Sequence, residues 1–132
     1  MVRHKPRILC VDGDADTCEM LSYFLKQAGY EVAVAASVAD GLKLAREAEF
    51  DLYLIDLRFS DGTGIDLCEQ LRAFDPHTPV VVCSGDVRES AQRRAAQAGV
   101  QHFLKKPVAL DVLDETLGRF VGRAASQDGL FV

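Results

Sequence analysis

Asp51-Leu52-Tyr53-Leu54-Ile55-Asp56-Leu57 is the stretch that decides the fold. Leu52 to Ile55 is an unbroken apolar run of strand length, the pattern of a parallel strand covered by helices on both faces. The run ends on a carboxylate. Open α/β sheets place their ligand sites at the carboxyl edge of the strands, so Asp56 is the first functional candidate. A solitary Asp there would read as a turn cap, but this one has company. Ile8-Leu9-Cys10-Val11 runs into Asp12, Val80-Val81-Val82-Cys83 into Ser84, and Phe103-Leu104-Lys105 into Lys106. Two acids, a hydroxyl and an amine at four strand ends are the groups needed to hold a divalent cation and a phosphoryl group.

Outward from that stretch, Arg7 to Asp12 forms the first strand. The turn Asp12-Gly13-Asp14-Ala15-Asp16 then leads into a helix striped by Leu21, Phe24, Leu25 and Ala28 and stopped by Gly29. Glu31 to Ala36 is short and partly alternating, as an edge strand is. Ser37 with Asp40 three residues later resembles a capping box. It opens a second helix that turns Val38, Leu42, Ala45 and Ala48 inward and ends near Phe50. After Asp56, Arg58 to Gly64 reads as a loop, and Leu67, Cys68, Leu71 and Phe74 stripe a third helix.

Asp75-Pro76-His77-Thr78-Pro79 breaks that helix before the fourth strand. Val87, Ala91, Ala95 and Ala98 line a fourth helix whose buried face is made of small residues, so its anchoring is expected to be weak. Gly99 ends it, Gln101 to Lys105 is the fifth strand, and Leu110, Leu113, Leu117, Phe120 and Val121 stripe a fifth helix. This alternation predicts the α/β class: a doubly wound, five-stranded parallel sheet flanked by five helices with right-handed crossovers. The domain is expected over residues 1–121, with a loosely held tail over 122–132.

A chain of 132 residues that is 48% hydrophobic has room for one domain and one sizeable core. Its 15 basic and 20 acidic residues give a net charge of −5, which argues against direct nucleic-acid binding or an anionic membrane surface. No apolar run approaches the roughly 18 residues of a spanning helix. The start, Met1-Val2-Arg3-His4-Lys5-Pro6, passes into a strand without a signal-peptide core, so the expected location is cytoplasmic. Cys10, Cys18, Cys68 and Cys83 lack CxxC spacing and read as buried, reduced thiols.

Taken together, the strand-end residues resemble the receiver domain of bacterial two-component response regulators over roughly residues 7 to 121. That family has an acidic pair, a phosphorylatable Asp, a Ser or Thr, and Lys-Pro, in the order found here. Asp56 to Gly64 is similar to the family's Asp-x-x-x-Ser/Pro-Asp-Gly-x-Gly loop. The resemblance implies a flavodoxin-like receiver fold of strand order 2-1-3-4-5, and a phosphoacceptor signalling domain with no enzyme activity beyond self phosphotransfer and autodephosphorylation.

The same resemblance implies a role for each position. Asp56 is the nucleophile that takes a phosphoryl group from a histidine kinase, a phosphotransfer protein or a small phosphodonor. Asp12, Asp56 and the backbone carbonyl of Arg58 hold Mg2+. Lys106 pairs with the phosphoryl oxygens, Ser84 hydrogen-bonds the aspartyl phosphate, and Phe103 is the aromatic that turns inward with it. Pro107 falls where a cis peptide is common. Arg58 and Asp86 flank the phosphoryl group, and their opposite charges suggest a gate that slows dephosphorylation. The fourth helix, fifth strand and fifth helix form the surface that serves homodimers or effectors.

One position departs from the pattern. The family's second acid is Gly13 here, which weakens the magnesium site and makes Asp14 the reserve ligand. Two further readings follow. A degenerate receiver would act as a docking module without phosphorylation. Asp12-Gly13-Asp14 also resembles the nucleophile motif of haloacid-dehalogenase-type phosphatases, with Asp12 as nucleophile, but the chain shows no cap insertion and that reading leaves Asp56 without a role. An EF-hand loop starting at Asp12 needs Gly and Glu where the chain has Thr17 and Tyr23. A dinucleotide or flavin site is disfavoured by an acidic first strand-to-helix turn.

Overall fold

The computed structural model describes residues 5–121; the expected tail over 122–132 lies outside the described residues. In chain order the elements are β1 (Arg7–Val11), α1 (Ala15–Gln27), β2 (Glu31–Ala35), α2 (Val38–Glu47), β3 (Leu52–Ile55), β4 (Arg58–Phe59), β5 (Gly62–Thr63), α3 (Gly64–Phe74), β6 (Val80–Ser84), α4 (Glu89–Gln97), β7 (His102–Lys105) and α5 (Leu110–Val121). Five strands form one parallel sheet in the order β2-β1-β3-β6-β7. With β6 and β7 as the fourth and fifth sheet strands, this is the expected 2-1-3-4-5 order.

The central strands carry the period-2 logic of a sheet buried on both faces. Leu9, Val11, Tyr53, Ile55, Val80 and Val82 point into one cluster, with Leu42, Leu67, Leu71 and Ala95 from α2, α3 and α4. Ile8, Cys10, Leu52, Leu54 and Val81 point the other way, where Leu21, Leu25, Leu113 and Leu117 of α1 and α5 close over them. All four residues of β3 are buried, so the strand that ends at Asp56 sits at the centre of both layers.

Local chemistry sets several boundaries differently from the sequence expectation. Residues 58 to 64 are not a plain loop: Arg58–Phe59 and Gly62–Thr63 pair as an antiparallel two-stranded ribbon. The second helix stops at Glu47 rather than near Phe50, because Ala48 is already extended. Ser37 Oγ accepts the Asp40 N–H, one half of the expected box, and the N–H groups of Val38 and Ala39 go to the Asp61 carboxylate. Phe74 and Val87, both expected in the apolar stripes, are exposed. Phe74 lies under the Arg46 guanidinium at 5.3 Å, and Val87 precedes α4. Both sit where the apolar stripe has run past its packing partner.

Candidate functional site

The strand order brings Asp12 and Asp56 together at the carboxyl edge, since β1 and β3 are hydrogen-bonded neighbours and the Asp56 N–H donates to the Val11 carbonyl at 2.9 Å. Lys106 reaches both from the end of β7. Its Nζ lies 2.8 Å from Asp12 Oδ2 and 3.5 Å from Asp56 Oδ2. Asp12 is buried and Asp56 half-buried. Burial raises the carboxyl pKa of Asp56, which the Leu57 N–H and the Lys106 charge only partly offset. Burial works against the Lys106 ammonium too, but its hydrogen bond to Asp12 and the charges of Asp56 and Asp12 prevail, and its pKa rises.

Ser84 ends β6 beside this group. It is buried, its Oγ accepts the Asp86 N–H at 3.1 Å, and its carbonyl accepts the Lys106 N–H at 2.8 Å. Phe103 pairs in register with Val82 and is half-buried against the α2–α3–α4 layer. The Lys106-Pro107 peptide is cis. Asp86 turns to its own loop: Arg88 clamps it with Nε at 2.9 Å and Nη2 at 2.7 Å, and this fork holds its carboxyl down at about 2. Arg58, its expected partner across the mouth, acts on Asp86 only as a nearby charge.

Gly13 shows why the acidic turn differs from the expected pair. A Cβ at this position would lie 3.0 Å from the Arg58 carbonyl oxygen and 3.7 Å from the Phe59 ring, so the loop after Asp56 has closed into the space a side chain would take. Asp14 is the N-cap of α1. Its Oδ1 accepts the Asp16 N–H, its Oδ2 accepts the Thr17 hydroxyl, and these bonds lower its pKa. Among the described residues, no group of three or more His, Cys, Asp or Glu side chains is placed to hold a metal. Asp12, Asp56 and the Arg58 carbonyl are nevertheless hard oxygen donors. One or two carboxylates are the share a protein contributes to magnesium when phosphate and water complete the shell. The residues fit the ion, with one anionic ligand fewer.

The loop that carries Asp56 is fastened by residues the sequence reading did not single out. Asp61 caps α2, and Thr63 and Asp66 form a full capping box at the start of α3. Gly64 lies so close to the Asp56 carbonyl that a Cβ there would overlap it. Asp-Gly is a turn signal and Thr-x-x-Asp a cap signal that could have marked them, but neither shows that Asp61 reaches across to α2. The thiols of Cys10, Cys18, Cys68 and Cys83 are all free, with Cys83 half-buried and the other three buried. No helix among the described residues is long and apolar enough to cross a membrane.

The family model described as the response regulator receiver domain matches residues 8–118. The transcriptional regulatory protein ZraR of Salmonella typhimurium is 37% identical over 117 residues, which cover 89% of this chain and 26% of that protein. A response regulator receiver protein of Anaeromyxobacter is 36% identical, over 79% of this chain and 44% of its own length. The chain thus spans about a quarter to under a half of these relatives. Among solved structures, a CheY-like receiver domain protein from Methanospirillum hungatei has a TM-score of 0.86 at 28% identity, covering 88% of this chain and 93% of that one. The non-phosphorylated HemR receiver domain from Leptospira biflexa has a TM-score of 0.83 at 32% identity, covering 89% and 94%. With that fold, that sheet edge and these relatives, the chain belongs to the receiver domains of two-component response regulators.

Proposed function

We propose that Asp56 is the phosphoacceptor of this receiver domain. The observation that carries the reading is Lys106 Nζ held between Asp12 at 2.8 Å and Asp56 at 3.5 Å, because it sets a cation where the oxygens of an incoming phosphoryl group must come to rest. One oxygen of Asp56 accepts the Leu57 N–H at 2.7 Å, which leaves Oδ2, on the lysine side, as the attacking atom. A new P–O bond forms to Oδ2 while the P–N bond of a phosphohistidine breaks, and the imidazole nitrogen keeps the electron pair. A histidine kinase or phosphotransfer protein is the donor expected of a receiver domain.

Asp12, Asp56 and the Arg58 carbonyl would hold magnesium, which when bound offsets the charge on the phosphoryl oxygens. Lys106 pairs with an oxygen of the new phosphate, and the Ser84 hydroxyl, whose Oγ accepts the Asp86 N–H, donates to another. Asp14 remains the cap of α1. Phosphorylation adds close to two negative charges beside Ser84 and Lys106. Phe103 and the exposed face of α4, β7 and α5, with Arg88, Arg93 and Arg94, are the proposed route out to a homodimer or effector.

A second reading, a docking module that works without phosphorylation, draws on Gly13 and on the Arg58 carbonyl that closes against it. Acetyl phosphate with magnesium separates the two. Under the phosphoacceptor reading the protein gains one phosphoryl group on Asp56, none is gained by Asp56→Asn, and beryllofluoride shifts NMR resonances at Ser84 and Phe103. An unlabelled wild-type protein whose spectrum ignores beryllofluoride would leave the docking module standing.

A further inference from the structure

Beside Asp56 and Lys106 the molecule has a cavity of about 360 Å³ that a phosphoryl group alone would not fill. Its polar end is Asp12, Asp56 and Lys106; its body is apolar and runs between α1 and the start of α5, with Met20, Leu21, Leu54, Pro107, Leu110 and Leu113 among its walls. Cys83 completes the wall as a neutral thiol, since burial pushes its pKa up to about 11. The wider hollow of about 840 Å³ between α1 and α2 holds none of the groups that phosphoryl transfer uses.

The geometry points to a small phosphodonor with an apolar acyl leaving group, a medium-chain or branched acyl phosphate, whose acyl chain lies along this wall while its phosphoryl group meets Asp56 and Lys106. The inference rests on Asp56 being the phosphoacceptor and names the donor class. Polarity matches end to end: the lysine, with magnesium offsetting the two carboxylates when bound, faces the phosphoryl oxygens, and the apolar walls face the hydrocarbon. Met20, at 50% exposure, and the half-buried Leu110 form the two lips and lose water when a chain lies between them. The step balances without a proton. Asp56 Oδ2 forms a P–O bond, the bond from phosphorus to the acyl oxygen breaks, and the acyl carboxylate leaves with the electron pair.

Acetyl and butyryl phosphate expel carboxylates of nearly equal basicity, so their difference reads the contact with the wall. Each buried methylene is worth roughly fourfold, and kcat/KM for labelling Asp56 in magnesium buffer is expected to be on the order of tenfold higher with butyryl phosphate. Met20→Gln and Leu110→Gln, both at exposed or half-exposed positions, are expected to cut that ratio several-fold with melting temperatures near wild type. In a separate titration, butylphosphonate shifts the Met20 and Leu110 methyl resonances at concentrations where methylphosphonate does not. If acetyl phosphate labels Asp56 but the ratio is near one and the two phosphonates act alike, the donor class is wrong and the phosphoacceptor stands. Variants that instead slow transfer only from a phosphohistidine protein would assign the cleft to a protein contact and overturn the proposal. Failure of both acyl phosphates to label an Asp56 that still takes a phosphoryl group from a phosphohistidine protein overturns this inference and leaves the phosphoacceptor; failure with every donor, and no response to beryllofluoride, removes both.

Discussion

Helices α3 and α4 pack on the same face of the sheet and flank the same site, yet they are held very differently. The first begins with a capping box, buries Ile65, Leu67, Cys68 and Leu71, and sets Gly64 against the Asp56 carbonyl. The second begins at Arg88 without a side-chain cap and buries only Ala91 and Ala95 within its length. Alanine offers little apolar area, so α4 is attached by far less hydrophobic free energy. Its far end is tied down from α3: Arg72 donates to the Gly99 carbonyl and to the Gln101 side chain. The contrast separates a fixed half of the site, carrying Asp12 and Asp56, from a half that can move, joined to Ser84 through the loop before α4.

Core truncation puts the widest gap between the two helices. Leu71→Ala empties a fully packed position and is expected to cost about 3 kcal/mol in urea unfolding. Ala95→Gly on α4 is expected to cost about 1 kcal/mol, mostly helix propensity. Amide exchange should run ahead in α4 of wild type, while α3 exchanges only with global unfolding. Equal protection in the two helices would remove the distinction.

Magnesium tests the fixed half. Binding to the folded state alone is expected to raise stability by about 1.4 kcal/mol when the ion is at tenfold its dissociation constant, read as a rise in melting temperature at millimolar concentration. Asp12→Asn should abolish the rise, whereas Asp14→Asn should leave it and reduce stability only through the α1 cap. A melting temperature indifferent to magnesium would count against the site. Next in size is the capping box: Thr63→Ala frees the Asp66 N–H and is expected to cost about 1 kcal/mol, with exchange quickened around Leu57 and Gly64 rather than in α4.

How far this division could be read in the sequence depends on the range of the interactions that make it. The sheet was legible because three apolar runs of strand length, over 8–11, 52–55 and 80–83, state their own burial, and the residues that follow them gave the site Asp12, Asp56 and Ser84. The weak face of α4 was legible from Ala91, Ala95 and Ala98 alone. Interactions that cross between elements were not. Asp61 looks like a turn residue until α2 is beside it, and Arg72 like a solvated charge until Gly99 and Gln101 are. Asp14 read only as a reserve metal ligand, and it is the placement of Asp16 and Thr17 around it that shows it capping α1. Asp86 failed as an expectation of pairing for the opposite reason: the partner expected was Arg58 on another element, and the local Arg88, two residues on, holds the fork.

That fork is where the movable half is most finely set, and acid titration reaches it. Asp86 accepts the Arg88 backbone N–H at 3.2 Å as well as the guanidinium, so one carboxylate orders the residue that begins α4. Its pKa lies at about 2 in the folded protein against an ordinary 3.8, so the folded state favours the charged form. The stabilisation it brings is therefore complete above the ordinary carboxylate range and is lost as pH falls through about 2. Arg88→Ala takes away the largest cause of the depression, and the carboxyl carbon of Asp86 should then titrate close to the unperturbed value. Because the Arg88 side chain is 76% exposed, the change in overall stability at neutral pH on its removal is expected to be the smallest of the set, within the range of ordinary surface substitutions. The local effect is larger: α4 should lose amide protection near its first turn while α3 keeps its own. An Asp86 titration that does not move on removal of Arg88 would mean that Arg58, across the mouth, holds the carboxylate after all, tying the movable half directly to the fixed one.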